Sequence, residues 1–157
     1  MLKAPVLKFV RTGTSDLERV LTFVKSYYQL DRLPFRAPEI KWGLEALLRD
    51  PSRGRVWIIR ISHEDVGYVI LTFGYDLEFG GRQATITDLY IASRYRRRGL
   101  GTETLRFVES TCRELGIRAL ELQVRRGNAA ARAFYLELGF EPHDRIPLSK
   151  SLKTAIK

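Results

Sequence analysis

The sequence predicts an α/β fold: a mixed, mostly antiparallel central sheet flanked by about four helices, in one domain spanning residues 1–157. Three observations predict it. Apolar residues recur at helical spacing in four segments, and β-branched or alternating runs occupy the stretches between them. The 157 residues are 45% hydrophobic, enough for one sizeable core. No internal repeat, low-complexity tract or long linker divides the chain.

The elements follow in order. Leu7–Val10 alternates weakly and reads as a short strand. Ser15-Asp16-Leu17-Glu18 matches a capping box, and Leu17, Val20, Leu21, Val24 and Tyr28 carry a helix to about Leu30. Pro34 and Pro38 interrupt the chain, and Pro38 suits the first turn of a second helix. That helix bears Ile40, Leu44, Leu47 and Leu48 and ends before Asp50-Pro51. Arg55–Ile61 and Val66–Tyr75 are rich in β-branched and aromatic residues and read as strands. Gly80-Gly81 marks a tight hairpin into a strand over Ala84–Ala92.

Thr102–Leu115 reads as a helix with Leu105, Val108, Cys112 and Leu115 on one face, stopped by Gly116. Arg118–Arg125 alternates as a strand, with Leu120, Leu122 and Val124 opposite Glu121 and Gln123. Asn128 caps a helix that runs to Leu138 and stops at Gly139. A last strand is expected within residues 140–152.

Composition excludes several classes. No stretch approaches the roughly 18 consecutive apolar residues of a membrane span, and no secretory signal is visible after Met1. One cysteine, Cys112, excludes an internal disulfide, and with two histidines it is too little for a zinc site. The cytoplasm is the expected compartment, and no metal is expected. The net charge is +9, of which residues 1–78 carry +2 and residues 79–157 carry +7. Arg94, Arg96, Arg97 and Arg98 form the densest basic cluster. Such a cluster serves nucleic acid, an acidic membrane surface, a polyphosphate ligand or simply a solvated face.

Its setting narrows the choice. Tyr90-Ile91-Ala92-Ser93-Arg94-Tyr95-Arg96-Arg97-Arg98-Gly99-Leu100-Gly101-Thr102 joins a strand to a helix, with two glycines at the helix entrance. Helix N-termini present unpaired N–H groups and the positive end of the macrodipole. Glycine lets the backbone approach a ligand, and nearby arginines add charge-assisted donors. The arrangement indicates an anion site suited to pyrophosphate. It lacks the third glycine of a dinucleotide fingerprint and the Gly-Lys-Ser/Thr of a P-loop.

Two segments together resemble the GNAT (GCN5-related) N-acetyltransferase superfamily. Arg96-Arg97-Arg98-Gly99-Leu100-Gly101 matches its acetyl-CoA signature, Gln/Arg-x-x-Gly-x-Gly/Ala. About thirty residues on, the run from Asn128 through Phe134-Tyr135 to Gly139-Phe140 resembles its Asn-x-x-Ala-x-x-Phe-Tyr-x-x-x-Gly-Phe helix. Leu89-Tyr90-Ile91 is similar to the strand that lies along the pantetheine arm, and the resemblance covers about Ala84–Phe140.

The resemblance implies an enzyme that transfers an acetyl group from acetyl-CoA to a primary amine on a small molecule or peptide. Residues 1–83 would form the acceptor side and residues 84–157 the acetyl-CoA side. It implies that N–H groups of Arg96, Arg97, Arg98, Gly99, Leu100, Gly101 and Thr102 hold the pyrophosphate. Leu89, Tyr90 and Ile91 would pair with the pantetheine amides, and an N–H near Ile91 would polarise the thioester carbonyl. Asn128 would bond the pantetheine arm besides capping its helix, and the Tyr135 hydroxyl would protonate the departing thiolate.

The attacking amine must lose a proton. Asp88, on the strand before the loop, is the first choice of base, with Glu121 on the next strand second. Some family members carry a catalytic glutamate where this chain has Gln123, and glutamine is no base. Asp76 and Glu78 near the hairpin could attract a cationic substrate, and Tyr27, Tyr28 and Phe35 could line the acceptor cleft. The alternative is a non-catalytic module binding nucleic acid through Arg94–Arg98. It calls for basic residues spread over a surface and exposed stacking aromatics. Here the arginines abut a glycine-bounded helix start, so no nucleic-acid or membrane partner is expected. The sequence leaves the acceptor and the oligomeric state, including a homodimer, open.

Overall fold

A computed structural model describes residues 6–153, which gather into two compact units, residues 6–123 and residues 124–153. The first contains β1 (Leu7–Arg11), α1 (Leu17–Leu30), α2 (Ala37–Arg49), β2 (Gly54–Ile61), β3 (Glu64–Asp76), β4 (Gly81–Ile91), α3 (Leu100–Glu114) and β5 (Ala119–Leu122). The second contains α4 (Ala129–Glu137). The five strands lie in sequence order; β1 to β4 are antiparallel, and β4 pairs β5 in parallel. The expected mixed, mostly antiparallel α/β architecture with four helices is therefore present.

Strand alternation divides the buried residues between two faces. Val56, Ile58, Tyr68 and Ile70 pack with Val20 and Val24 of α1 and Leu44 of α2. The intervening Trp57 meets Phe107 of α3 edge-on at 5.3 Å, and Phe9 stacks on the same ring at 4.2 Å. Leu105, Val108 and Cys112, the apolar stripe read from the sequence, lie buried on α3. Burial raises the Cys112 thiol to about 11, so it is a core residue without thiolate character.

Three local expectations are corrected. The capping box expected at Ser15 and Glu18 does not form, because a 3-10 turn over Thr14–Asp16 precedes α1 and no side chain caps that helix. Asp16 Oδ2 accepts the Gly13 N–H at 3.0 Å, while Glu18 pairs with Lys41 of α2. The strand expected over Arg118–Arg125 is confined to Ala119–Leu122, since β4 offers it partners only from Gln83 to Ile86. Among the described residues of 140–152 no strand forms. Pro142 and Pro147 lack an N–H for a ladder, and Ile146, Leu148 and Leu152 are exposed.

Strand β4 carries the feature that shapes the site. Ile70 faces Asp88 and Leu71 faces Ile86, so Thr87 is an extra, bulged residue opposite no partner on β3. Beyond it, β3 and β4 approach very closely at Gly67, where a Cβ would lie 2.1 Å from the Tyr90 carbonyl oxygen. Gly67→Ala should therefore cost about 2 kcal/mol or more. Gly13→Ala, where a Cβ meets nothing within 4 Å, should stay within about 0.5 kcal/mol. Urea unfolding of both variants checks the contrast, and equal stabilities would contradict the close approach.

Candidate active site

The site begins where β4 loses its second neighbour. The last β4–β5 pair is Ile86 with Leu122, yet β4 runs on to Ile91. The Ala92 N–H donates to Val66 at 2.8 Å, and the Tyr90 carbonyl faces Gly67, so both residues turn their peptide groups toward β3. By strand alternation, Leu89 and Ile91 turn theirs away from β3, where no strand pairs with them. The Ile91 carbonyl accepts Arg96 Nε at 2.7 Å from that side. An exposed strand edge of this kind can take an extended amide-bearing chain by β-addition.

The edge leads into the basic turn. A 3-10 turn over Ser93–Tyr95 is followed by Arg97 at φ 59° and Gly99 at φ 78°, two left-handed residues that redirect successive N–H groups. Gly99 is the N-cap of α3, and no side chain caps that end. The first-turn N–H groups of Leu100, Gly101 and Thr102 are thus left without intrahelical or side-chain acceptors. The arginines divide their roles. Arg94 pairs with Glu64 and lies over Tyr95 at 5.0 Å, with Arg98 over the same ring at 5.6 Å. Arg96 lies over Tyr90 at 5.6 Å. Arg96, Arg97 and Arg98 have no carboxylate partner among the described residues. Uncapped N–H groups beside these guanidinium groups fit a polyphosphate in chemistry and in sign.

Of the acids singled out in the sequence, Asp88 lies nearest this end of β4. It is 9% exposed, and its Oδ2 accepts the hydroxyl of the fully buried Tyr68 at 2.7 Å. Burial raises its carboxyl above the ordinary range, opposed by hydrogen bonds from Tyr68 and Thr87. Glu121 lies in register with Thr85, three residues back along β4 from Asp88, and accepts Gln83 Nε2 at 2.6 Å. Gln123 is exposed just past β5. Asp76 pairs with Gly81 at the other end of the eleven-residue β4, about 30 Å from the turn. Asp76 and Glu78 therefore stand apart from the cofactor-side residues. Sequence reasoning missed Tyr68 and the Thr87 bulge, for which no local signal exists.

In the second unit, Asn128 Oδ1 accepts the Ala131 N–H at 3.1 Å, the plain N-cap role. Tyr135 lies between Phe134 and Phe140, at 5.1 and 5.6 Å, and burial raises its phenol, keeping it protonated. Among the described residues no helix is long and apolar enough to cross a membrane, and no group of three or more His, Cys, Asp or Glu is placed to hold a metal.

Solved proteins share this architecture. An integron cassette protein from the mobile metagenome of Cole Harbour Salt Marsh superposes with a TM-score of 0.80 at 28% identity, covering 94% of this chain and 92% of that one. The aminoglycoside N-acetyltransferase AAC(6')-Iy, solved with CoA, gives a TM-score of 0.80 at 14% identity, covering 98% and 99%. In sequence, the uncharacterized N-acetyltransferase YycN of Bacillus subtilis is 31% identical over 98 residues, 62% of this chain and 61% of its own. The model of the acetyltransferase (GNAT) family matches residues 18–140, and the chain belongs to that family. It spans about three fifths of the length of the curated relatives it matches.

The buried carboxyl makes a pH prediction. A folded-state value raised above the ordinary 3.8 favours folding while Asp88 is protonated, and that contribution is lost as pH rises through the raised value. Asp88→Asn removes the titration, so the variant should gain on the wild type as pH rises from about 4 into the raised range. Urea unfolding of both proteins across that range measures the gap. A variant-minus-wild-type stability that stays constant or falls with rising pH would show that the Asp88 carboxyl is not raised.

Proposed function

We propose that the chain transfers an acetyl group from acetyl-CoA directly to a primary amine, with residues 1–157 acting as one domain in the cytoplasm. The observation that carries this is the continuity of an unpaired β4 edge at Leu89 and Ile91 with the uncapped N-terminus of α3. An extended arm with amides, ending in a pyrophosphate, matches that sequence of donors and acceptors. The CoA complex of AAC(6')-Iy supports the same ligand on a like fold.

In this reading Arg96, Arg97, Arg98, Gly99, Leu100, Gly101 and Thr102 hold the pyrophosphate, and Leu89, Tyr90 and Ile91 the pantetheine. Asn128 bonds the arm through its amide nitrogen, its oxygen being used in the cap. The Ile91 N–H stabilises charge developing on the thioester oxygen. The amine, having passed a proton to Asp88 directly or through water, attacks the carbonyl carbon; the C–N bond forms, and the C–S bond breaks. The thiolate takes its proton from the Tyr135 hydroxyl, and the second proton, shed by the nitrogen as the amide forms, restores that phenol through solvent. A raised Asp88 carboxyl suits a base working near neutral pH, and a raised Tyr135 phenol suits an acid that starts protonated.

Two variants test the roles. Gly99→Val forces a β-branched residue into φ 78° and should abolish acetyl-CoA binding while the protein stays folded. Calorimetry returning wild-type affinity would remove the site. Tyr135→Phe should keep acetyl-CoA affinity and lower turnover by about 10²-fold, the size of a lost general acid. Wild-type turnover in that variant would show that Tyr135 is not the acid.

A further inference from the structure

The face of the sheet that carries Asp88 is walled by aromatic rings. Tyr68 lies beneath, fully buried and bonded to the Asp88 carboxylate. Tyr27 meets Tyr28 edge-on at 5.8 Å and Tyr68 at 6.4 Å; Tyr28 meets Phe35 at 6.1 Å, and Tyr90 meets Tyr68 at 6.4 Å. Burial, and to a lesser degree the charge of Asp88, raises the Tyr28 phenol. Tyr27, Tyr28, Phe35 and Tyr90 each keep part of their surface in solvent, while the carboxylate is almost wholly covered.

Rings serving only as core would not need to gather round a carboxylate, since burying such a group is unfavourable without a charged partner. An alkylammonium satisfies both parts of this arrangement. Its charge pairs with Asp88 and restores the ionised carboxylate, and its N–H and Cα–H surface lies against ring faces that attract cations. The rings of the wall offer no second carboxylate, and the charge that lies against them, Arg96 over Tyr90 at 5.6 Å, is itself positive. A second ammonium on the same ligand would lose its hydration there without a counter-charge, whereas an apolar or aromatic stem would gain contact with the rings.

We propose that the acceptor is a monoamine on an apolar or aromatic stem, its ammonium received at Asp88 and its stem against Tyr27, Tyr28, Phe35 and Tyr90. This rests on the reading of the chain as an amine acetyltransferase. Monoamine acceptors then bind stem-first to the rings, and polycationic amines are poor substrates.

The test compares 2-phenylethylamine, ethylamine and spermidine as acceptors, with release of the CoA thiol giving kcat/KM. The expected order puts 2-phenylethylamine at least tenfold above ethylamine, with spermidine no better than ethylamine. Tyr28→Leu keeps apolar volume and removes the ring, and Phe35→Ala trims the rim. Each should raise KM for 2-phenylethylamine about fivefold and KM for ethylamine by less, leaving KM for acetyl-CoA unchanged. Calorimetric titration of 2-phenylethylamine without acetyl-CoA should show the same loss in Tyr28→Leu, independently of turnover. Preference for spermidine, equal use of the two monoamines, or an unaffected Tyr28→Leu would overturn the proposal while leaving acetyl transfer intact. Binding of 2-phenylethylamine at the rings with no acetylation of any amine would instead overturn the acetyltransferase reading on which it rests.

Discussion

Strand β4 has two neighbours over Gln83–Ile86 and one over Leu89–Ile91, and the rest of the site depends on that difference. A fully paired strand would have its peptide groups consumed on both sides. A fully exposed one would be an edge open to other chains. The Thr87 bulge separates the two regimes by displacing the ladder by one residue at the place where β5 stops. Upstream of the bulge β4 is a central strand within the core. Downstream it is a scaffold held from β3 alone, with the peptide groups of Leu89 and Ile91 paired to no second strand.

The bulge also sets which side chain is buried beside that opening. Asp88 follows Thr87 and turns its carboxyl toward Tyr68 on the α1–α2 face. Placing a carboxyl there is unfavourable on its own. The Tyr68 and Thr87 hydrogen bonds offset part of that cost, and the pKa stays raised because burial outweighs them. The carboxyl therefore costs stability beside the unpaired end of β4 and under half-buried rings.

The turn after β4 obtains its chemistry from backbone conformation more than from charge. Arg97 and Gly99 both take positive φ, and α3 begins without a side-chain cap. The arginines contribute unequally: Arg94 is committed to Glu64, while Arg96 is fastened to the Ile91 carbonyl and over Tyr90. Arg96 therefore joins the basic turn mechanically to the strand edge and to the aromatic wall. The basic cluster read from the sequence is in this sense partly structural.

By itself, the sequence determined most of the elements and the glycine-bounded basic turn at the start of α3. The 3.6- and 2-residue periodicities in segments such as Leu105, Val108 and Cys112 are local consequences of which face must leave water. Gly99 and Asn128 likewise declare a helix start through their own conformational and hydrogen-bonding preferences. Tertiary structure decided what depends on strand register: the bulge at Thr87, the early end of β5, and the bond from Tyr68 to Asp88 across twenty residues. The strand expected within residues 140–152 failed for a related reason. Composition there permits apolar contact, but prolines at 142 and 147 remove the donors a ladder requires. Asp88 was legible as an acid beside the loop; its burial, its phenol partner and its aromatic surroundings were not. Those arise only when distant segments pack, because desolvation and hydrogen bonding are properties of neighbours in space and not of neighbours in sequence.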